Sequence, residues 1–265
     1  FLIMFINHFN MTGQPFNERI STDHILKDNR VNQALARLQY FLTSGTIALI
    51  TGQTGSGKSS LIKLFLNSLD LSLYNPVYIY ITDLRVTSIL KLIVSALNEN
   101  PKHTKGLVFS QIVDLTRISK TKILFIIDEA HLLSSESLTD FRLIVSSALD
   151  ESSPIKILLS GQEHLRQILR RPHLADLAHR ISVHYKLKPF TKPQTHAYID
   201  HHLRCVNANE NIFSPQVKDL IHEFAGGLPR QINNIATACL LCASLQKVYK
   251  IDRLLFSQAA SDCRL

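Results

Sequence analysis

A short apolar strand that runs directly into a glycine-rich turn and then into a helix leaves a chain few folds to adopt. Residues 46–50 read as a buried strand, and 58–69 carry a helical pattern. Between them stands Gly52-Gln53-Thr54-Gly55-Ser56-Gly57-Lys58-Ser59, followed by Ser60, which fits G-x-x-x-x-G-K-[ST] at every fixed position. Glycines let such a loop curl until successive N–H groups point inward at phosphate oxygens, and the helix start adds its positive dipole end. Lys58 then reaches the β- and γ-phosphates of a nucleotide, and the Ser59 hydroxyl binds magnesium. The expected ligands are ATP and Mg2+.

The rest of the chain fits that start. Helical periodicity covers 29–40, with Val31, Ala34, Leu35, Leu38 and Phe41 on one face, and Gly45 stops it. Strands are expected at 76–81, 123–127, 155–159 and 181–187. Helices are expected at 88–97, 107–118, 138–149, 163–169 and 174–178. Alternating strands and helices imply an α/β domain with a parallel sheet flanked by helices. Beyond Pro189 only helices are expected, at 195–205, 215–224, 228–245 and 252–260. The expected division is an α/β nucleotide-binding domain over 1–188 and a small all-helical domain over 189–265.

The run 123–127 delivers Asp128 and Glu129 at a strand's C-terminal end, where ligands bind in such sheets. Two adjacent acids there are costly without a cation. Asp128 is placed to hold magnesium, and Glu129 to polarise the attacking water. The acids continue into Ala130-His131, and D-E-A-H also marks one class of helicases. Those carry a second sheet domain, which the helical C-terminal part does not offer. On the neighbouring strand, 155–159 ends at Ser160-Gly161-Gln162, so Ser160 or Gln162 can reach the water or the γ-phosphate. Gly226-Gly227-Leu228-Pro229-Arg230 opens a helix, with Pro229 near its first turn, and Arg230 is expected to project towards the phosphates.

Hydrophobic residues make up 45% of the 265 residues and charged residues 19%, enough for a sizeable core. The longest apolar runs fall far short of the roughly 18 residues of a membrane span, so a cytoplasmic protein without membrane insertion is expected. The apolar stretch 1–6 is too short for a secretory signal, and Phe1 to Ile3 stand upstream of the first methionine, Met4. Cys239 and Cys242 have C-x-x-C spacing, but they lie on one face of an apolar helix without a second ligand pair, as core thiols do. Net charge is +8, with 19 basic and 15 acidic residues up to Tyr185 and 10 and 6 from Lys186 onward. An excess on both parts fits a polyanionic partner, nucleic acid first, and equally serves solubility.

Together these residues resemble the AAA+ ATPases of the ExeA/GspA type and the related transposition helper ATPases of the TniB/TnsC type. The resemblance runs over nearly the whole chain. It includes Pro15-Phe16, Gln33-Ala34-Leu35-Ala36-Arg37-Leu38, both nucleotide motifs, Ser160-Gly161-Gln162-Glu163-His164-Leu165, His179-Arg180-Ile181 and Gly227-Leu228-Pro229-Arg230-Gln231-Ile232-Asn233. It implies an ATPase that assembles as a homo-oligomer, ring or filament, on double-stranded DNA and activates a transposase. The alternative it leaves open is a secretion or assembly ATPase acting on an envelope complex. In such assemblies the position of Arg180, just before the last strand, faces the next subunit's nucleotide; Arg170 and Arg171 are rivals. Related ATPases direct the loops after the second strand at DNA, which singles out Arg85 with Thr87, then Lys102 and Lys105. Arg85 could equally pair with Asp83.

Overall fold

The computed structural model describes residues 2–17, 21–81, 86–146 and 155–263. The first half of the chain runs α1 (Leu2–His8), α2 (Asn29–Ser44), β1 (Ile47–Thr51), α3 (Lys58–Asn67), β2 (Tyr74–Tyr80), α4 (Val86–Ala96), α5 (Lys105–Ile118) and β3 (Lys122–Asp128). Then follow α6 (Ser135–Ser146), β4 (Ile155–Gly161), α7 (His164–Leu169), α8 (Ala175–His179) and β5 (Ile181–Lys186). The chain closes with α9 (Lys192–Cys205), α10 (Pro215–Ala225), α11 (Pro229–Leu245) and α12 (Arg253–Asp262). Two compact units result: Phe1–Asn29 with Gly55–Gly57 and Lys188–Leu265, and Arg30–Thr54 with Lys58–Leu187.

The sheet unit holds one five-stranded sheet in the order β2-β3-β4-β1-β5, with every pair parallel. A parallel sheet covered on both faces needs unbroken apolar central strands. β1 and β4 are buried along their whole length, and β3 from Ile123 onward. Ile123, Phe125, Ile127, Ile155, Ile157 and Ile47 join Val108 and Ile112 of α5 and Phe141 and Ile144 of α6 in one core. Each such side chain contributes on the order of 1.5–3 kcal/mol. Ile50 pairs with Ser160, Thr51 with Gly161, and Tyr80 with Asp128, so the C-terminal ends of four strands are aligned.

Three strands are longer than their apolar residues suggest, and β3 takes in Lys122 and Asp128. β2 begins two residues before 76, and β4 continues through Ser160 and Gly161 because both pair with β1. α6 begins at Ser135, three residues before the expected start, and residues 147–149 of the expected helix lie outside the described residues.

Local chemistry places the helices of the other unit. Thr191 and Gln194 form a capping box on α9, Ser214 accepts from Val217 N–H on α10, and Asp252 accepts from Leu255 N–H on α12. Pro215 and Pro229 occupy helix starts. Gly227 has φ +72, and a Cβ there would lie 2.3 Å from the Phe190 carbonyl oxygen, so only glycine fits. Cys239 is buried in this core, and burial pushes its thiol up to about 12.

This unit departs from the expected boundary at 188/189, because the first residues of the chain share its core. Phe5, Phe9, Met11 and Phe16 are buried with Ile199, Leu203, Phe213, Ile235 and Leu240. α1 carries Phe5, Phe9 follows its last residue, and the helix packs against α11.

Candidate nucleotide site

β1 ends at Thr51, and the turn that follows takes Gly55 to φ +77 and Gly57 to φ +100 before α3 begins at Lys58. Lys58 is 5% exposed, and its ammonium donates to the carbonyls of Gly52 at 3.0 Å and Gln53 at 3.1 Å. Ser56 is buried, and among the described residues its hydroxyl has no hydrogen-bond partner. A buried hydroxyl left unpaired costs on the order of 1–3 kcal/mol, which a phosphate oxygen would recover. Thr54 and Gln53 complete the loop, and Ser60 follows Ser59 in the first turn of α3.

The acids arrive from β3. Asp128 is fully buried, and its carboxylate accepts four hydrogen bonds. On Oδ1 they come from the Ser160 hydroxyl at 2.8 Å and the Glu129 N–H at 3.0 Å. On Oδ2 they come from the Ser59 hydroxyl at 3.1 Å and the Tyr78 hydroxyl at 2.9 Å. The sequence argument that buried acids need a cation therefore meets a second solution: the donors carry the carboxylate. Burial, then the charge of Asp128 and its hydrogen bond, push the Tyr78 phenol upward, so it stays a donor. Sequence reasoning passed over Tyr78, since a tyrosine in a β-prone run looks like an ordinary strand former.

Glu129 sits at φ 55 and ψ 33, a left-handed conformation that costs a non-glycine residue on the order of 1–3 kcal/mol. Its carboxylate lies 3.2 Å from His131 Nδ1. Burial, with His164 and Lys58 nearby, lowers the His131 pKa against the opposing pull of Glu129 and Asp128. The ring is then neutral at neutral pH, and the contact is not an ion pair there. The same Nδ1 faces the Gln162 N–H at 3.4 Å, so the two partners compete for one nitrogen and its tautomer. Of the two polar residues expected at the end of β4, Ser160 brings its side chain to Asp128, while Gln162 meets His131 through its backbone.

The arginines are more dispersed. Arg180 caps the C-terminus of α8 and is exposed; among the described residues its guanidinium makes no hydrogen bond or ion pair. Arg170 and Arg171 are exposed as well. In the helical unit, the Arg230 N–H donates to the Gly55 carbonyl at 3.2 Å, and a Cβ on Gly55 would lie 2.8 Å from Arg230 Cβ. Arg85 and the side chain of Thr87 lie outside the described residues. Lys102 is exposed. Lys105 does not present a spare charge: its ammonium is 2.7 Å from Glu136 and 3.0 Å from Asp140, both on α6.

A strand–loop–helix with a buried lysine, an acid pair two strands away and a five-stranded parallel sheet make up a P-loop fold of the AAA+ kind. Residues 42–169 match the family described as AAA domain. The chain is 30% identical over 254 residues to General secretion pathway protein A of Aeromonas hydrophila, which covers 94% of this chain and 46% of that relative. It thus spans less than half the length of that protein. Among solved structures it is similar to Cdc6p from Pyrobaculum aerophilum, with TM-score 0.75 and 17% identity over 94% of this chain and 70% of that one. It is also similar to the ORC1 protein of Aeropyrum pernix in complex with DNA, with TM-score 0.71 and 16% identity over 92% and 68% of the two chains. Identities this low carry the fold alone. Among the described residues no helix is long and apolar enough to cross a membrane.

Proposed function

We propose that this chain binds ATP with magnesium and hydrolyses it. The observation that carries the reading is the fully buried Asp128 carboxylate, bonded to Ser59 at the start of α3 and to Ser160 on the neighbouring strand. Ser59 and Asp128 offer hard oxygen donors, the kind magnesium takes when most of its shell comes from water and substrate phosphates. Held there, magnesium would neutralise charge on the β- and γ-phosphates.

The loop N–H groups and the unpaired Ser56 hydroxyl receive phosphate oxygens, and Lys58 exchanges its two carbonyl partners for them. Glu129 takes a proton from water as the water oxygen bonds to the γ-phosphorus and the bond to the bridging oxygen breaks, leaving ADP and phosphate. Ser160 or Gln162 positions that water, Arg230 stabilises the phosphates, and Arg180 completes the site of a neighbouring copy in a ring or filament. The test is a pair of variants in nucleotide-binding and turnover assays. Lys58→Ala is expected to abolish binding, because the phosphate charge loses its compensation. Glu129→Gln is expected to retain binding and lose hydrolysis. Full turnover in the Gln variant would remove Glu129 from the base role.

For the work this switch performs, we propose assembly on double-stranded DNA and activation of a transposase. The net charge of +8 supports it. A second reading, action on an envelope secretion complex, is favoured by the relative in the general secretion pathway. DNA binding with and without a non-hydrolysable ATP analogue, over a salt series, separates them. Affinity that rises with the analogue and falls steeply with salt supports the DNA reading. No binding at low salt with the analogue present leaves the secretion reading.

A further inference from the structure

We propose that Tyr78 is a positioning residue for the magnesium-binding carboxylate, an inference that rests on the ATPase reading. β2 is one of the two edge strands, parallel to β3, with Tyr78 opposite Ile126 and Tyr80 opposite Asp128. From there the Tyr78 hydroxyl reaches two residues along the neighbouring strand to Asp128 Oδ2.

An aspartate carboxylate turns easily about its last torsion. A cation needs it in one orientation before it arrives, since ordering it afterwards costs affinity. Oδ1 is fixed from the interior by Ser160 and the Glu129 N–H. Oδ2 is fixed by Ser59 and Tyr78. Ser59 is itself a proposed ligand for the metal. Tyr78 is therefore the donor on Oδ2 that can hold the carboxylate without serving the cation as well. Tyr78 is 44% exposed, so its ring is not a core-filling group, and removal of the hydroxyl leaves the sheet intact.

The experiment compares wild type, Tyr78→Phe and Tyr80→Phe. Tyr80 is an exposed tyrosine on the same strand face and serves as the control. Calorimetry measures affinity for a non-hydrolysable ATP analogue without metal and with increasing Mg2+. Thermal unfolding checks that all three proteins are folded. For Tyr78→Phe, affinity without metal is expected to stay within about twofold, while the gain from Mg2+ shrinks by about tenfold. Turnover should show the same defect as a higher half-saturating Mg2+ concentration, with kcat regained in excess metal. Tyr80→Phe should match wild type throughout. An undiminished Mg2+ gain in Tyr78→Phe overturns the proposal and leaves the ATPase reading standing. A loss of affinity already present without metal also overturns it, because the hydroxyl would then act on the fold at large. Failure of the wild type itself to bind the analogue overturns the ATPase reading, and this proposal with it.

Discussion

Ser160 donates its hydroxyl to Asp128 Oδ1 across 2.8 Å, and both residues are 0% exposed. Ser160→Ala leaves a buried carboxylate one donor short, at a cost of about 1–3 kcal/mol. Urea unfolding should register that loss, and turnover should drop with it. Gln162→Ala keeps the backbone N–H that faces His131, so its stability should change by less than about 0.5 kcal/mol. The reverse ranking in turnover would make Gln162 the residue that reads the phosphate.

Arg180→Ala should leave folding and ATP binding intact and cut turnover by roughly 1,000-fold or more if the residue acts on a neighbour's transition state. Mixing it with Glu129→Gln protein provides the check. Some interfaces then join an intact base to an intact arginine, and activity should partly return. A mixture that stays inactive at every ratio argues that each copy hydrolyses ATP alone.

On DNA, the ion pairs of Lys105 with Glu136 and Asp140 separate it from Lys102. If the helix start at residue 105 faces DNA, Lys102→Ala should weaken binding and lower the salt slope by about 1. Lys105→Ala should leave that slope unchanged. Equal losses in a salt titration would mean that the pairs to α6 open when DNA binds.

His202 is 1% exposed, and among the described residues neither ring nitrogen has a hydrogen-bond partner. Burial first, then His201 and His24, lower its pKa to about 4; the Pro15 backbone opposes this without a hydrogen bond of good geometry. The unfolded chain then binds the proton more readily between pH 6.5 and 4. Stability is full above that window and falls as the pH drops through it, by about 3 kcal/mol from this residue. His202→Phe should remove this share of the pH dependence in urea unfolding at pH 7 and pH 4. A variant whose stability falls in parallel with wild type would assign the loss to other groups.

The sheet and the phosphate loop were legible because each rests on a local pattern: an apolar run of fixed length, or glycines at fixed spacing. The four donors on Asp128 were only half legible. Ser59 follows from the loop motif, and Ser160 from its place at the end of an apolar strand. Tyr78 requires knowing that β2 lies beside β3, a long-range pairing that periodicity does not encode. The same holds for Phe5 and Phe9, whose spacing suits a helix but does not name a partner. His131 was noticed only as the last letter of a motif, whereas its ring meets Glu129.

Phe5, Phe9, Met11 and Phe16 pack with helices that are not made until residues 30–187 have left the ribosome. At 5–20 residues per second that interval is roughly 8–32 s. The sheet unit can complete its own core in that time, while residues 5–16 wait with their aromatic side chains uncovered. The helical unit is in this sense completed after the sheet unit although it draws on residues 5–16, whose aromatic side chains chaperones can hold until α9 to α12 arrive.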